Sequence, residues 1–369
     1  MKKIKVLHVM AGADAGGISS VVVNYYSHIN RSKIHFDVAL TTNADGINGQ
    51  RLRSLGANIY KIALKSIDRE AYVNDIKTLL IMGKYDAIHV HENDTSWVAL
   101  KAAKEVGLKI RIAHAHTAGS LSFSLYQRLR KWSGYILNAY YATCLIACGK
   151  KAGIYTFGKI NIKTKGVTVL PNAIDTELYS YNENLRGQVR GELGIKDKFV
   201  VGMVGRVTPE KNNVQAISIF NEIQKEISNA ILVMAGDGED MLKTKMAIDK
   251  LYLSDKVLCL GNRSDVSRLL QAYDVFILPS LYEGFPVAAV EAMATGLPVL
   301  LSNTITPELS FGASVRYLSL SNDKAWAYAA KEFVNDNGRE SRQCELKNNG
   351  LDIRNTASML ENIYLQHLN

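Results

Sequence analysis

The chain has 369 residues, of which 47% are hydrophobic and 21% charged, with a formal net charge of +9 at pH 7. This length makes two domains the natural expectation, and the absence of any apolar run of ~18–20 residues excludes a membrane-spanning helix. Four cysteines (Cys144, Cys148, Cys259, Cys344) show neither a disulfide framework nor paired metal-knuckle spacing, which fits free thiols in a reducing cytosol.

The first thirteen residues, Met1 to Ala13, mimic a signal peptide, with basic residues ahead of a short apolar run. That run contains His8 and flows into a glycine loop as a first Rossmann strand does, so the segment is expected to be retained. Strands are then predicted at Lys5–Met10, Phe36–Leu40, Asn58–Ile62, Ala87–Val90, Arg111–Ala115, Cys144–Cys148 and Val167–Leu170, with helical patterns between them. The pattern restarts at Val200–Val204 and continues with Ala230–Ala235, Val257–Leu260, Val275–Leu278 and Val299–Leu301. Alternation of this kind predicts an α/β protein with two doubly wound parallel-sheet domains. Asp175 to Gly194 is polar and turn-rich, which places the boundaries at 1–177, 178–354 and a final helical segment, 355–369. Ligands of such sheets bind beyond the carboxyl ends of the strands, so two domains facing each other would form one cleft.

Charge divides unevenly. Residues 1–178 carry 24 Lys and Arg against 12 Asp and Glu, a net of +12, and residues 179–369 carry 20 against 23, a net of −3. A basic half suits an anionic partner, such as nucleic acid, anionic lipid or a phosphate-bearing substrate, or simply solubility. No RNA- or DNA-binding motif accompanies it.

The most informative stretch is Leu278-Pro-Ser-Leu-Tyr-Glu-Gly-Phe-Pro-Val-Ala-Ala-Val-Glu-Ala-Met-Ala-Thr-Gly-Leu-Pro-Val299. Val275–Leu278 reads as a buried parallel strand that Pro279 ends. Gly284 frees the backbone for close approach, and Pro286 suits the first turn of a helix. Ala288 to Met293 is strongly helix-forming, with Gly296 as C-terminal cap and Pro298 beyond it. Glu283 therefore falls in a strand-to-helix loop and Glu291 about one and a half turns into the helix. The start of that helix favours a phosphate, and each carboxylate can accept two hydrogen bonds from neighbouring hydroxyls.

The run Glu283-Gly-Phe-Pro followed by Glu291-Ala-Met-Ala resembles the signature of retaining glycosyltransferases of family 4, which have the GT-B fold. Further matches extend along nearly the whole chain: the Gly16-Gly17 loop, His116, Pro171-Asn-Ala-Ile-Asp175, Gly205-Arg206 with Lys211, and Ala235-Gly-Asp-Gly238. The resemblance is with bacterial capsular and exopolysaccharide transferases in particular. It implies two Rossmann-like domains and a last helix that crosses back to the N-terminal domain, where Tyr364 and Leu365 could anchor it.

Arg206 and Lys211 project from one loop after the second domain's first strand. Two cations there can compensate a diphosphate, Arg as a fork of donors and Lys as a mobile point charge. The resemblance implies that they grip the donor diphosphate and stabilise it as leaving group. It implies equally that Glu291 binds the donor ribose, Glu283 faces the transferred sugar, and Gly284, Phe285, Pro286 and Val287 line sugar and phosphate. Asn262 and Arg263 lie where the family packs the nucleobase, or are ordinary loop residues. Gly17 is the best-matched position of the N-terminal glycine loop, which lacks the spacing of a dinucleotide fingerprint.

Alternation puts His114 and His116 on one side of a strand end, and His89 and His91 do the same on another. Four histidines could hold zinc, but paired strand-end histidines are commoner as hydrogen-bonding pocket residues, and the family needs no metal cofactor. By motif His116 contacts the transferred sugar. The catalytic set implied by resemblance is thus His116, Glu283, Arg206 and Lys211, working through same-face substitution with a nucleoside-diphosphate sugar, UDP-linked, as donor. The stretch Leu121–Leu137 mixes Arg128, Arg130 and Lys131 with Phe123, Tyr126, Trp132 and Tyr135, and reads either as an interfacial helix on an anionic membrane or as an ordinary packed helix. These features point to a saccharide acceptor, soluble or carried on a lipid diphosphate, and to a cytoplasmic enzyme peripheral on the inner face of the cell membrane. A nucleotide-sugar 2-epimerase and a non-catalytic sugar-nucleotide-binding protein share this architecture and stay open.

Overall fold

The computed structural model describes residues 3–14, 17–42, 46–119, 125–312, 314–334 and 338–366. The chain divides into two units, Met1–Ala173 with Asp352–Asn369, and Ile174–Leu351. The first runs β1 (Ile4–Met10), α1 (Gly17–His28), β2 (Ile34–Leu40), α2 (Ile47–Ser54), β3 (Ile59–Lys61), α3 (Arg69–Gly83), β4 (Ala87–Val90), α4 (Trp97–Glu105), β5 (Ile110–Ala115), α5 (Leu125–Tyr141), β6 (Cys144–Ala147), α6 (Lys150–Lys165) and β7 (Thr168–Val169). The second runs α7 (Glu183–Leu193), β8 (Phe199–Val204), α8 (Asn213–Glu226), β9 (Ala230–Ala235), α9 (Met241–Lys250), β10 (Val257–Cys259), α10 (Val266–Ala272), β11 (Val275–Leu278), α11 (Val287–Ala294), β12 (Val299–Ser302), β13 (Val315–Leu318), α12 (Asp323–Lys331) and α13 (Gln343–Asn348). Helix α14 (Ile353–Gln366) then rejoins the first unit.

Both sheets are parallel. Their orders are β3-β2-β1-β4-β5-β6-β7 and β10-β9-β8-β11-β12-β13. In each, the third strand in sequence lies at one edge, the first is central, and the order reverses beside it. The reversal points, between β1 and β4 and between β8 and β11, are where a doubly wound sheet opens a crevice beyond its strand ends. All twelve expected strands are present to within two residues at either end. The thirteenth, β13, was not anticipated. Its sequence Val-Arg-Tyr-Leu is short and only one residue is buried, as suits an edge strand without a continuous apolar run.

Strands buried on both faces account for the cores. Every residue of β8, β9, β11 and β12 is buried. In the first unit Val6, Val22, Phe36 and Val38 pack with Leu360 and Tyr364. In the second, Val201, Phe220, Leu232 and Ile277 pack around Trp326. Helix α14 docks on the first unit because Ile353, Ala357, Leu360 and Tyr364 fall on one stripe at helical spacing, and all are buried. At about 1.5–3 kcal/mol for each large apolar side chain buried, that stripe outweighs the half-exposed Lys33–Glu361 pair at 2.9 Å beside it.

Candidate functional site

In the C-terminal unit three strand-end loops are knitted together through backbone. Gly205 N–H donates to Ala235 O at 3.0 Å, Val207 N–H to Asp237 O at 3.0 Å, and Gly236 N–H to Gly261 O at 2.8 Å. Gly236 has φ +141°, and a Cβ there would lie 1.8 Å from Gly205 O. Only glycine allows β8 and β9 to end this close together. The Ala235-Gly-Asp-Gly238 motif is therefore the support of the Gly205-Arg206 turn.

Gly205 itself has φ +150°, and the open space beside it is taken by the Lys211 side chain, whose Cε would lie 3.5 Å from an added Cβ. Lys211 Nζ reaches Glu283 Oε1 at 2.5 Å, and Ser280 Oγ donates to the same oxygen at 2.8 Å. Two hydrogen bonds hold the β8 loop to the β11 loop: backbone Leu281 N–H to Glu210 O at 2.8 Å, and the Asn212 side-chain Nδ2 to Pro279 O at 3.2 Å. Lys211 and Glu283 thus meet at the reversal point of this sheet. Arg206 stands on the same turn but is exposed, touching Glu210 at 3.3 Å. It is free to swing towards an anion, since an exposed pair of this kind contributes little.

Phe285, Pro286 and Val287 form an inverse γ-turn: Val287 N–H donates to Phe285 O at 3.0 Å, and Pro286 has φ −82° and ψ 81°. The helix therefore starts at Val287, one residue later than the sequence suggested, with Pro286 as its cap. Phe285 and Pro286 are buried, while Gly284 and Val287 are part-exposed. On α11, Glu291 accepts from the Tyr179 hydroxyl at 2.6 Å. Burial pushes its carboxyl up to about 7, against the Tyr179 hydrogen bond, which pulls it down. Nothing in the sequence marked Tyr179, which is 112 residues away. Asn262 and Arg263 are exposed, and Arg263 is already engaged in a two-pronged pair with Asp265 at 2.8 and 2.7 Å.

In the N-terminal unit, Gly17 opens α1 with free space where a side chain would be; its neighbour Gly16 lies outside the described residues. Asn48 Nδ2 holds the preceding loop through Asp14 O at 2.8 Å. The four expected histidines do come together, and His8 joins them. Strand register explains this: His8 on β1 pairs with His89 on β4, and β4 pairs with β5. All five are buried. His91 Nδ1 and His116 Nε2 share a hydrogen bond at 2.8 Å, His8 Nδ1 and His91 Nε2 at 3.0 Å, and His89 Nε2 and His114 Nδ1 at 3.1 Å. Tyr364 OH lies 2.6 Å from His89 Nδ1. Desolvation lowers every one of these rings, His8 and His116 to about 3, so all are neutral at pH 7. Among the described residues two triads, His8/His89/His91 and His91/His114/His116, hold nitrogen atoms within 4.8 Å of one another. Asn93 Oδ1 fixes the His116 backbone N–H at 3.0 Å.

Of the expected interfacial helix, side chains up to Arg130 fall outside the described residues, including Phe123, Tyr126, Arg128 and Arg130. Lys131 does not face solvent freely. It stacks over the Tyr155 ring, and burial pushes it down to about 8. Tyr135 packs beneath Gly158. What α5 exposes instead is a stripe at four-residue spacing: Trp132 (63%), Ile136 (48%) and Tyr140 (63%). Among the described residues no helix is long and apolar enough to cross a membrane.

Comparison with known proteins gives a consistent picture. A family model described as Glycosyltransferase Family 4 matches residues 15–178, and one described as Glycosyl transferases group 1 matches residues 186–350. The putative glycosyltransferase EpsF of Bacillus subtilis (strain 168) is 31% identical over 98% of this chain and 96% of its own. The UDP-Gal:alpha-D-GlcNAc-diphosphoundecaprenol alpha-1,3-galactosyltransferase of Escherichia coli is 30% identical over 82% of this chain and 80% of its own. The crystal structure of Anabaena HepE in complex with UDP and glucose superposes with a TM-score of 0.82 at 18% identity, covering 98% of this chain and 100% of the other.

Proposed function

The chain belongs to glycosyltransferase family 4 and is a retaining, nucleotide-sugar-dependent glycosyltransferase of GT-B fold, and on that premise we propose that it transfers a hexose from a UDP-sugar to a saccharide carried on a lipid diphosphate during cell-surface polysaccharide synthesis. The observation that carries the donor half is the Lys211–Glu283 contact at 2.5 Å, on the turn that also bears Arg206 and at the sheet's reversal point. An ammonium group has three donors. Lys211 can keep Glu283 and still offer protons to phosphate oxygens, joining the leaving group to the residue that faces the sugar. Glu291 takes the ribose hydroxyls, Phe285 to Val287 line sugar and phosphate, and Asn262 with Arg263 flank the base, Arg263 after release from Asp265. In the N-terminal unit, His116 contacts the sugar and Gly17 approaches the donor.

The step breaks the bond between the anomeric carbon and the phosphate oxygen, and its electron pair stays on the departing diphosphate. The acceptor oxygen bonds to the same face, and its proton passes to the leaving phosphate. Arg206, Lys211 and the start of α11 stabilise the charge that develops there, so that cationic side chains supply what a metal would. None of the carboxylates in the matched motifs serves as nucleophile in this scheme, unlike the close carboxylate pair of a retaining glycosidase. The lipid-linked acceptor is supported by the diphosphoundecaprenol-linked substrate of the Escherichia coli relative, the exopolysaccharide setting by EpsF, and a peripheral place on the inner membrane face by the +12 half and the α5 stripe.

The test is transfer from a panel of UDP-sugars to lipid-diphosphate saccharides in anionic vesicles, with product configuration determined. A product with retained configuration, formed only when acceptor is present, is expected. Conversion of the donor alone would mean a 2-epimerase instead, and UDP binding with no turnover would mean a non-catalytic module.

A further inference from the structure

Glu291 is the only charged side chain on α11. A glutamate carboxylate has about four acceptor sites and a soft terminal torsion, so on an apolar helix it turns freely unless something holds it. One group does. The Tyr179 hydroxyl donates to Oε1 at 2.6 Å, a length that suits a bond from a hydroxyl to a carboxylate. Oε2 meets no partner among the described residues, and it is not among the atoms closed off from solvent, since Glu291 is part-exposed. One oxygen is thus fixed and the other is open.

Tyr179 is itself held from both sides. Ser180 N–H donates to Glu177 O at 3.1 Å, which closes a turn over residues 177–180 with Tyr179 at its third position, and Glu177 N–H donates to Asp175 Oδ1 at 3.1 Å. Beyond the turn, the buried Gln271 in the last turn of α10 grips the chain twice. Its Nε2 donates to Ser180 O at 3.2 Å, and its Oε1 accepts from Asn182 N–H at 3.1 Å. Asn182 Oδ1 then caps α7 by accepting from Leu185 N–H at 3.0 Å. A turn pinned in this way, bearing a ring with only two side-chain torsions, presents its hydroxyl at a fixed point. Tyr179 and Glu291 both belong to the unit Ile174–Leu351, so the contact is made within one unit.

We propose that Tyr179 is a positioning residue of the donor site: it holds one oxygen of Glu291, fixes the rotation of the carboxylate, and leaves Oε2 to receive the ribose hydroxyls of the nucleotide. It acts through Glu291 rather than on the ribose. Ordering the carboxylate before the ligand arrives removes a cost that binding would otherwise carry. The hydroxyl has a second effect. Burial pushes the Glu291 carboxyl up to about 7, the Tyr179 bond pulls it down, and among the described residues no other ionisable group acts on it. Without the hydroxyl the carboxyl would rise further, and a neutral carboxyl carries a proton where the ribose requires an acceptor. One tyrosine therefore sets both the aim of Glu291 and the pH above which it accepts.

The inference rests on the ribose role proposed for Glu291, and its test separates the two. Full-length protein is titrated by calorimetry with UDP, 2′-deoxy-UDP and 3′-deoxy-UDP between pH 6 and 9. At pH 8 and above the unaltered protein should prefer UDP to one or both deoxy analogues by about tenfold or more, the range of a hydrogen bond to a charged group. Tyr179→Phe keeps the ring and removes the hydroxyl. It should bind UDP about tenfold more weakly at pH 7, with the midpoint of its affinity profile about one pH unit higher. Its preference for UDP should shrink at pH 7 and recover by pH 9. In Glu291→Ala the hydroxyl has nothing left to hold, so adding Tyr179→Phe should change UDP affinity by less than about twofold. Equal affinity for UDP and both analogues in the unaltered protein would remove the ribose role of Glu291, and this inference with it. An unmoved midpoint in Tyr179→Phe with the UDP preference intact, or an equal loss in the Glu291→Ala background, would overturn the positioning role alone.

Discussion

Glu291→Gln should stabilise the ligand-free protein at alkaline pH while removing its grip on the nucleotide. Burial raises the Glu291 carboxyl from its ordinary 4.5 to about 7. The sign follows from proton counts. Between pH 4.5 and 7 the native state binds more protons at this site than the unfolded chain, so stability falls as pH rises through that window. Below 4.5 both states are protonated and the group costs nothing; above 7 the full cost is present. That cost is about 3 kcal/mol, at about 1.4 kcal/mol for each tenfold change in the ionisation constant. Glutamine has no charge to bury and can still accept the Tyr179 hydroxyl through its amide oxygen. Thermal melts at pH 5 and 8 should show the variant's advantage growing with pH, to a rise of about 5–10 °C at pH 8 for a domain of this size. In the proposed donor site the Glu291 carboxylate is the acceptor for the ribose hydroxyls. The affinity of the unaltered protein for UDP should therefore fall below pH 7, towards tenfold per pH unit, as the competent fraction shrinks. The variant should bind UDP weakly at every pH. Equal melting temperatures for the two proteins at pH 8, or an advantage as large at pH 5, would refute the reasoning.

Glu283→Ala should cut kcat by about a hundredfold or more, while UDP affinity holds because Lys211 is released rather than lost; near-normal turnover in a transfer assay would show that Glu283 does not face the sugar. Lys211→Ala should weaken UDP binding by about 10–100-fold, the range of a hydrogen bond to a charged group, as read by calorimetry at low salt. Gly236→Ala must move Gly205 O away from a Cβ only 1.8 Å distant, so unit Ile174–Leu351 should lose about 3 kcal/mol or more in denaturant melts; a change within about 0.5 kcal/mol would mean that the loops can part freely. Trp132→Ser with Ile136→Ser should abolish co-sedimentation with anionic vesicles and spare transfer to a soluble acceptor, whereas unchanged sedimentation would take the α5 stripe out of membrane contact.

The two sheets were legible because most of their strands are buried and written as continuous apolar runs, while the edge strands β3 and β7, which bury no residue, followed from the alternation of strands with helices. Strand β13 was not, since an edge strand with Arg316 and Tyr317 at its centre carries no such run. The Lys211–Glu283 meeting was legible only as two motifs. Their junction depends on β11 pairing with β8 rather than with its sequence neighbour β10, a fact of topology. The support behind the motif was hidden for a different reason. Gly236 reads as one more loop glycine until Gly205 O is seen against it.

Tyr179 and Tyr364 show where reading by motif stops. Each acts on a group more than a hundred residues away through a single hydroxyl: Tyr364 was readable as an anchor of the last helix, but neither its histidine partner nor Tyr179 has a spacing to betray it. His8 is the intermediate case. Within its own strand it looks like an interruption of an apolar run. Once the order β2-β1-β4-β5 is assumed, register sets His8 beside His89 and brings the strand-end pairs of β4 and β5 into line with it. The strand order of a doubly wound sheet is itself readable from alternating strands and helices. The histidine cluster was thus within reach of the sequence by way of the fold, whereas the tyrosine that closes it required the packing of the last helix.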